Sequence, residues 1–180
     1  MSEFILITGG ARSGKSTYAR LRGEALPGPR TYVATCPVAF DAEMDARIAS
    51  HKKDRDPKIW QTIEELKELP AVISQLHIQK VILVDCLTLW LYNFMREAKA
   101  GKLTFDEDMA KACCLELAEA ARNFPGTILV ITNELGSGIV PIVPAGRMYR
   151  DMVGRCNQIL ASAANEVVLT VCGQALKIKG

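Results

Sequence analysis

Residues 9 to 16 read Gly-Gly-Ala-Arg-Ser-Gly-Lys-Ser, a complete match to the phosphate-loop pattern G-x-x-x-x-G-K-[ST]. The apolar run Phe4 to Ile7 precedes this stretch and is typical of a strand. A helix-compatible segment, residues 15–26, follows it and ends at Pro27-Gly28-Pro29. Strand, glycine-rich loop and helix in this order predict a site for the phosphates of a nucleoside triphosphate. The alternative is a glycine-rich turn that binds no ligand.

The residue types inside the loop suit phosphate binding. Glycines allow backbone N–H groups to converge on a phosphate chain, Lys15 can reach the β and γ oxygens, and the Ser16 hydroxyl can ligate Mg²⁺. We expect the Lys15 ammonium to be exposed, so that it matters little to the core. The predicted nucleotide-binding residues are Gly9, Gly10, Ala11, Arg12, Ser13, Gly14, Lys15, Ser16, Thr17 and Glu134.

The composition is that of an ordinary globular protein. A chain of 180 residues has room for one domain with a sizeable core, so we predict a single nucleotide-binding domain over residues 1–180. No apolar stretch approaches the ~20 residues of a membrane span, and no secretory signal is evident, so the cytoplasm is the expected location. A net charge of +2 without a basic run argues against nucleic acid as the main partner.

The cysteines show no metal-binding or redox spacing. None of the six forms a C-x-x-C pair, and several lie in predicted strands or on an apolar helix face. We therefore expect buried, reduced side chains that pack as small hydrophobes. These residues are Cys36, Cys86, Cys113, Cys114, Cys156 and Cys172.

Runs of apolar, often β-branched residues recur along the chain and are mostly apolar throughout rather than alternating. Strands buried on both faces of a parallel sheet have this pattern, and the intervening segments are long enough for crossover helices. The fold class is therefore α/β, with a mostly parallel sheet. Residues 175–179 are expected to return as an antiparallel edge strand. The other predicted strands are Phe4–Thr8, Thr31–Thr35, Val81–Cys86, Thr127–Thr132 and Val167–Val171.

Two further helices are predicted. The first begins with a capping-box pattern, Thr104 followed by Glu107, and ends at Pro125-Gly126. Its expected core-facing stripe is Met109, Cys113, Leu117, Ala120 and Phe124.

The second helix follows Asp41, which is a plausible N-cap. Four of its residues share one face by their spacing: Met44, Ile48, His51 and Arg55.

Polar residues follow the ends of two predicted strands. Asp85 ends one strand, where a carboxylate can hold a metal ion or its water shell beside a phosphate loop; alternatively, it caps the next helix. The segment 133–138, Asn-Glu-Leu-Gly-Ser-Gly, follows another strand and is either a ligand-binding loop or a plain turn. Open α/β sheets bind their ligands beyond the carboxyl ends of the strands, which is where both of these polar segments are expected to lie.

His51 is a candidate nucleophile. Neutral imidazole can attack phosphorus, and Arg55, one helical turn away, can neutralise phosphate charge. A structural histidine is the alternative, and for His77, between Leu76 and Ile78, it is the expectation. The spacing of His51 and Arg55 permits nucleophilic chemistry without proving it.

Taken together, these residues strongly resemble the bifunctional adenosylcobinamide kinase / adenosylcobinamide-phosphate guanylyltransferase family of cobalamin biosynthesis. The most specific segments are Arg-Ile-x-x-His-x-x-x-Arg, residues 47–55, and Thr-Asn-Glu-Leu-Gly-Ser-Gly-Ile-Val-Pro, residues 132–141. The resemblance spans nearly the whole chain. It further includes residues 8–16, Asp41, Glu43-Met44, Trp60, Thr62, residues 85–88, Trp90, Asn93, Arg147, Arg150-Asp151, Gly154-Arg155 and Asn157-Gln158. Cys36 and Tyr149 depart from the usual pattern, and we expect neither to touch the chemistry.

The resemblance implies a RecA-type fold and two reactions. Such enzymes phosphorylate adenosylcobinamide with ATP or GTP, then transfer GMP from GTP to adenosylcobinamide phosphate through a guanylyl-histidine, which the motif maps onto His51. The implied catalytic residues are His51, Lys15 and Arg55, with Ser16 and Asp85 as Mg²⁺ ligands. A homotrimer is also implied.

Two rival interpretations remain at this point. One is a P-loop kinase of another small molecule, in which His51 has no chemical role. The other is a non-catalytic nucleotide-binding module, or a RecA-type ATPase that acts on nucleic acid. A guanylylation assay separates the first rival from the bifunctional enzyme.

Overall fold

The computed structural model describes residues 2–36 and 55–180. The chain alternates between strands and helices, as the α/β prediction requires. The strands are β1 Glu3–Gly9, β2 Arg30–Ala34, β3 Trp60–Glu64, β4 Val81–Asp85, β5 Thr127–Ile131, β6 Glu166–Val171 and β7 Gln174–Lys179. The helices are α1 Lys15–Glu24, α2 Leu69–Gln75, α3 Leu87–Ala100, α4 Glu107–Asn123 and α5 Pro144–Ala163.

The strands form one sheet in the order β3-β2-β4-β5-β1-β6-β7. All neighbouring pairs are parallel except β6 and β7, which are antiparallel. The phosphate-loop strand β1 lies between β5 and β6, and β5 separates it from β4. The carboxyl ends of β1, β4 and β5 therefore lie along one edge, where parallel α/β sheets bind their ligands. The predicted fold class and the antiparallel C-terminal strand are confirmed.

Side chains of successive β1 residues enter two different cores because they alternate across the sheet. Phe4 and Leu6 pack with residues of α2, α3, α4 and α5 on one face, whereas Ile5 and Ile7 pack with Ala19 of α1 on the other. These four β1 side chains are at most 1% exposed. Burial on both faces explains why β1 is apolar throughout.

Within residues 2–36 and 55–180, every helix is too short or too polar to span a lipid bilayer.

Two details of the predicted helices were wrong. The N-cap of α4 is Asp106 rather than Thr104, because the Asp106 carboxylate accepts the Met109 N–H at 3.0 Å. The apolar stripe is shifted by about one residue, and Met109 is 48% exposed. The buried positions of α4 are Ala110, Cys114, Leu117, Ala118 and Ala121.

Other sequence predictions differ from the structure in extent. Strand β3 was missed because it is an edge strand in which only Trp60 is fully buried. Helix α1 ends two residues earlier than predicted, at Glu24. The helix predicted after Asp41 lies outside the described residues, apart from Arg55.

The cysteines are reduced, but only three are buried. None of the six, all of which lie among the described residues, forms a disulfide, and the buried ones are Cys86, Cys114 and Cys156. Cys172 is exposed in the turn between β6 and β7. The expectation of buried cysteines therefore holds for half of them.

Candidate active site

The phosphate loop connects β1 to α1 with close backbone contacts. A Cβ on Gly9 would lie 2.5 Å from both Ser13 Oγ and Thr170 Oγ1, so only glycine fits there. Gly14 is the N-cap of α1 and has a left-handed φ of 95°, which glycine adopts without strain. The loop thus reaches the amino end of α1 with its N–H groups available to an anion.

Lys15 is buried, contrary to the expectation of an exposed ammonium. Only 8% of the residue is exposed, and Nζ donates a 2.9 Å hydrogen bond to the Gly10 carbonyl. Burial lowers the pKa of Lys15, while the neighbouring Cys86 and Asp85 side chains act in the opposite direction. The ammonium is therefore already held against the loop, close to the carboxylate at the end of β4.

The far side of the loop is held by β6 and the turn that follows it. Ser13 Oγ and Thr170 Oγ1 lie 2.7 Å apart, and Thr170 Oγ1 donates to the Thr8 carbonyl at 3.2 Å. The Gly173 N–H donates to the Ser13 carbonyl at 2.9 Å. These contacts fix the loop from the β6 side, and no local sequence pattern predicts them because Thr170 lies 157 residues after Ser13.

Asp85 lies at the end of β4 and is oriented by a tyrosine. The Tyr32 hydroxyl donates to Asp85 Oδ2 at 2.6 Å, and the Arg55 guanidinium lies 3.7 Å from the centre of the Tyr32 ring. Asp85 does not cap α3: the N-cap is Cys86, without a side-chain hydrogen bond. Arg55 is itself only 8% exposed, so the three side chains form one packed group.

The segment after β5 is held on three sides. The Glu134 N–H donates to the Gly9 carbonyl at 3.0 Å, which ties the segment to the phosphate loop. Asn133 Nδ2 donates to Thr88 Oγ1 at 2.8 Å, and Arg150 donates to the Gly136 carbonyl at 2.6 Å. These contacts with other elements distinguish residues 133–138 from a plain turn, because they place Glu134 beside Gly9.

A cavity of about 460 Å³ opens between this segment and the phosphate loop. Gly10 and Ala11 form its wall on the loop side, and Tyr149 and Arg150 of α5 form the opposite wall. Its volume falls within the range typical of small-molecule sites. Tyr149, a departure from the family pattern that we expect not to touch the chemistry, lines this cavity beside the phosphate loop.

The structure brings together most of the predicted site residues. Gly9 to Thr17, Asp85, Arg55 and Glu134 lie at the same edge of the sheet, whereas the predicted nucleophile His51 lies outside the described residues. Reasoning from sequence missed Tyr32 and Thr170, which look like ordinary strand residues. Only the pairing of distant strands shows what their hydroxyl groups contact.

Two side chains at this edge carry oxygen atoms of the kind that bind a divalent cation. They are the hydroxyl of Ser16 and the carboxylate of Asp85, whose Oδ2 accepts the Tyr32 hydroxyl. The described residues contain no cluster of three or more metal-ligating side chains. Such a sparse donor set suits Mg²⁺, which keeps several waters and binds phosphate oxygens.

Comparison with curated proteins gives several full-length relatives. The chain is 40% identical to the bifunctional adenosylcobalamin biosynthesis protein CobU of Escherichia coli, covering 97% of this chain and 99% of the relative. It is 41% identical to CobU of Salmonella typhimurium, with the same coverage. It is 38% identical to CobP of Pseudomonas aeruginosa, covering 97% of this chain and 96% of the relative.

Solved structures with a similar fold are much more distant in sequence. An ATPase from the type III secretion system of pathogenic bacteria superposes with a TM-score of 0.60 at 11% identity, covering 94% of this chain and 51% of that chain. A KaiC-like protein of Pyrococcus horikoshii gives 0.50 at 14% identity, covering 93% and 70%. These similarities concern the fold alone.

The family model for cobinamide kinase / cobinamide phosphate guanyltransferase matches residues 5–178. That range runs from β1 to β7 and includes the phosphate loop, Asp85 and the segment after β5. The chain belongs to the cobinamide kinase / cobinamide phosphate guanyltransferase family.

Proposed function

We propose that this protein phosphorylates adenosylcobinamide with a nucleoside triphosphate and then transfers GMP from GTP to adenosylcobinamide phosphate. The observation that carries the proposal is the arrangement of Lys15, Asp85 and Arg55 around one phosphate loop in a chain of this family. Lys15 is held against Gly10, and Arg55 is linked to Asp85 through Tyr32. The products of the second reaction are adenosylcobinamide-GDP and pyrophosphate.

The kinase step depends mainly on positioning and charge neutralisation. The acceptor hydroxyl attacks the γ-phosphorus, the bond to the β-γ bridging oxygen breaks, and the hydroxyl proton is released. The Lys15 ammonium and the backbone N–H groups of the loop hold the phosphates. Arg55 supplies further positive charge near Asp85.

Mg²⁺ is the metal we propose for this site. Ser16 and Asp85 are its proposed protein ligands, and the donor types support a hard, strongly hydrated cation. When bound, the ion neutralises charge on the phosphate oxygens. The role of Asp85 is to hold the ion or its water shell, and Tyr32 keeps that carboxylate in one orientation.

The guanylyl step is proposed to use His51 as a covalent nucleophile. The neutral imidazole nitrogen attacks the α-phosphorus, and pyrophosphate leaves. An oxygen of adenosylcobinamide phosphate then attacks the same phosphorus, and the phosphorus–nitrogen bond breaks. This order lets pyrophosphate depart before the bulky acceptor needs in-line access. Arg55 lies four residues after His51, which supports the placement of both in one site.

We also propose a homotrimer of single-domain subunits that works in the cytoplasm. One continuous sheet includes both the first and the last strand of each subunit, which supports a single domain. An exposed apolar pair on β7, Leu176 at 60% and Ile178 at 58%, offers surface for subunit contact. The nucleotide substrates, and six cysteines that form no disulfide among the described residues, suit the cytoplasm. Sedimentation of the purified protein tests the trimer.

The experiment that tests the function is a product assay with cobinamide. The protein is incubated with cobinamide, Mg²⁺ and ATP, and then with GTP, and the corrinoids are separated by chromatography. We expect cobinamide phosphate first and cobinamide-GDP after GTP is added. Formation of the phosphate without the GDP derivative would support the rival kinase activity instead.

A further inference from the structure

We infer that the cavity beside Gly10 and Ala11 holds the alcohol- or phosphate-bearing end of the corrinoid acceptor, and that the nucleoside binds elsewhere. This inference rests on the proposed function and names the acceptor site within it. The cavity measures about 460 Å³, and six residues of the segment 134–141 contribute to its lining. Three observations carry the inference: its position along the phosphate loop, the chemistry of its lining, and its apolar rim.

The first observation concerns the direction of the phosphate chain. Lys15 reaches the β and γ oxygens in a phosphate loop, and its Nζ contacts the carbonyl of Gly10. In such loops the backbone N–H groups that lead into the helix hold the α- and β-phosphates, whereas the lysine reaches further along the phosphate chain. The cavity includes Gly10 and Ala11 but no residue of α1. It therefore meets the phosphate chain at its γ end, where the acceptor hydroxyl must approach in line.

On the side of the phosphate loop that faces the turn between β6 and β7, there is less space for a ligand. Gly173 donates a hydrogen bond to Ser13, and a Cβ on Gly14 would lie 3.0 Å from the Gly173 Cα. By contrast, a Cβ on Gly10 would meet no atom of residues 2–36 or 55–180 within 4 Å. Among the described residues, the cavity is thus the open approach to the start of the loop.

The second observation is the mixture of apolar surface with one cation, Arg150, and one carboxylate, Glu134, whose Oε1 accepts the Gly136 N–H. Leu135, Ile139 and Tyr149 supply apolar walls, and Arg150 supplies the positive charge. Arg150 is oriented by the Gly136 carbonyl at 2.6 Å, and its buried Nε has no hydrogen-bond partner among the described residues. This combination suits the end of a molecule that presents a hydroxyl or phosphate group beside methyl and methylene groups, as the aminopropanol arm does.

The third observation is an exposed apolar surface beside the cavity, which we call the rim and which consists of Ile139, Ile142 and Val143. Ile139 and Ile142 are 96% and 94% exposed, and Val143 is 66% exposed. Contiguous exposed apolar residues beside a cavity mark a binding surface. A corrin macrocycle is too large to enter the cavity itself, and the methyl groups on its amide-bearing periphery can rest on this rim while the aminopropanol arm enters.

The test compares two isoleucine variants. Ile139→Ser removes an exposed side chain from the rim, and Ile78→Ser removes one that is 73% exposed and far along the chain from the site. Equilibrium dialysis measures the affinity of each variant for cobinamide and for GTP, and sedimentation measures its assembly. We expect Ile139→Ser to bind cobinamide about tenfold more weakly than the parent, with unchanged GTP affinity and assembly, and Ile78→Ser to match the parent.

The Arg150→Met variant tests the role of the positive charge on Arg150. Arg150→Met is expected to lose more affinity for cobinamide phosphate than for cobinamide, since only the former carries the added charge. Three results would overturn the inference: an Ile139→Ser effect on GTP instead of cobinamide, no effect on either ligand, or dissociation of the assembly with cobinamide affinity unchanged. If the parent neither binds nor phosphorylates cobinamide, the proposed function itself fails.

Discussion

The Tyr32 hydroxyl donates a 2.6 Å hydrogen bond to Asp85 Oδ2, across the neighbouring strands β2 and β4. Burial and the adjacent Asp85 charge raise the pKa of Tyr32 well above its ordinary value, although Arg55 opposes this. The phenol therefore keeps its proton throughout the range in which the protein works. The carboxylate at the end of β4 is held in one orientation by a donor that does not titrate there.

Replacing Tyr32 by Phe tests this positioning role. The Tyr32→Phe variant keeps the ring beneath Arg55 but loses the hydrogen bond, so we expect the Mg²⁺ concentration for half-maximal activity to rise about tenfold. The free energy of unfolding should fall by about 1 kcal/mol. Mg²⁺ titrations of cobinamide phosphorylation measure the first effect. Tyr18→Phe, on α1, is the control, and identical titrations for all three proteins would contradict the role.

Asp85→Asn removes the carboxylate charge while keeping the shape of the side chain. Because the backbone cradle of the phosphate loop remains, nucleotide affinity should change by less than about threefold, whereas kcat should fall by roughly 100-fold or more. Calorimetric nucleotide binding and kinase rates at several Mg²⁺ concentrations measure the two quantities. A rate and metal dependence equal to those of the parent would leave Asp85 with a structural role only.

Lys15→Met should abolish both activities, because one loop must hold the donor nucleotide for both reactions. The same change should raise the melting temperature of the nucleotide-free protein at pH 7, since it removes a cation that burial disfavours. In saturating GTP the parent should instead have the higher melting temperature, because only the parent gains stability from the ligand. Either activity near the parental level would indicate a second nucleotide site.

The stability difference between Lys15→Met and the parent should depend on pH. Burial lowers the pKa of folded Lys15, whereas the unfolded chain keeps a pKa near 10.5. Below both values the parent carries the full cost of a buried charge. As pH rises from the folded pKa towards 10.5, the folded state has lost a proton that the unfolded state still holds, so parental stability recovers. The difference in melting temperature between Lys15→Met and the parent should therefore be smaller at pH 9.5 than at pH 7. Lys111 is exposed, so Lys111→Met is the control and should show no such change with pH.

Thr170→Val tests the support of the phosphate loop from β6. The hydroxyl of Thr170 contacts both Ser13 and Thr8, so its loss should cost about 1–2 kcal/mol of unfolding free energy and weaken nucleotide binding. Thr31→Val is the matched control: Thr31 Oγ1 is buried without a partner among the described residues, so that variant should be as stable as the parent or more so. Chemical denaturation and nucleotide titration of both variants check this. Equal stability losses in the two variants would contradict it.

Local sequence patterns predicted those parts of the site whose residues all lie within one short stretch of the chain. The phosphate loop is such a part, because its glycine spacing, lysine and serine lie within eight residues and follow an apolar strand. The end of β4 at Asp85 was also predictable, since a continuous apolar run stops there. Strand β3 was not, because an exposed edge strand has little apolar pattern.

Relationships between distant segments could not be derived from the chain alone. Tyr32 meets Asp85 only because β2 pairs with β4, and Thr170 meets Ser13 only because β6 pairs with β1. The burial of Lys15 likewise depends on the packing around the loop. These contacts require the register of the sheet, which local patterns do not specify.

The central claim is that one phosphate loop serves both γ-phosphoryl transfer and a covalent guanylyl transfer on His51. The most direct measurement incubates the parent and His51→Ala separately with GTP labelled in the α-phosphate and in the γ-phosphate, with Mg²⁺ and without acceptor, and counts protein-bound label after denaturation. We predict label from the α-phosphate only, labile to acid and stable to base, absent from His51→Ala, while that variant still phosphorylates cobinamide. An α-label that persists in His51→Ala, or a parent that makes cobinamide-GDP without any adduct, would contradict the claim.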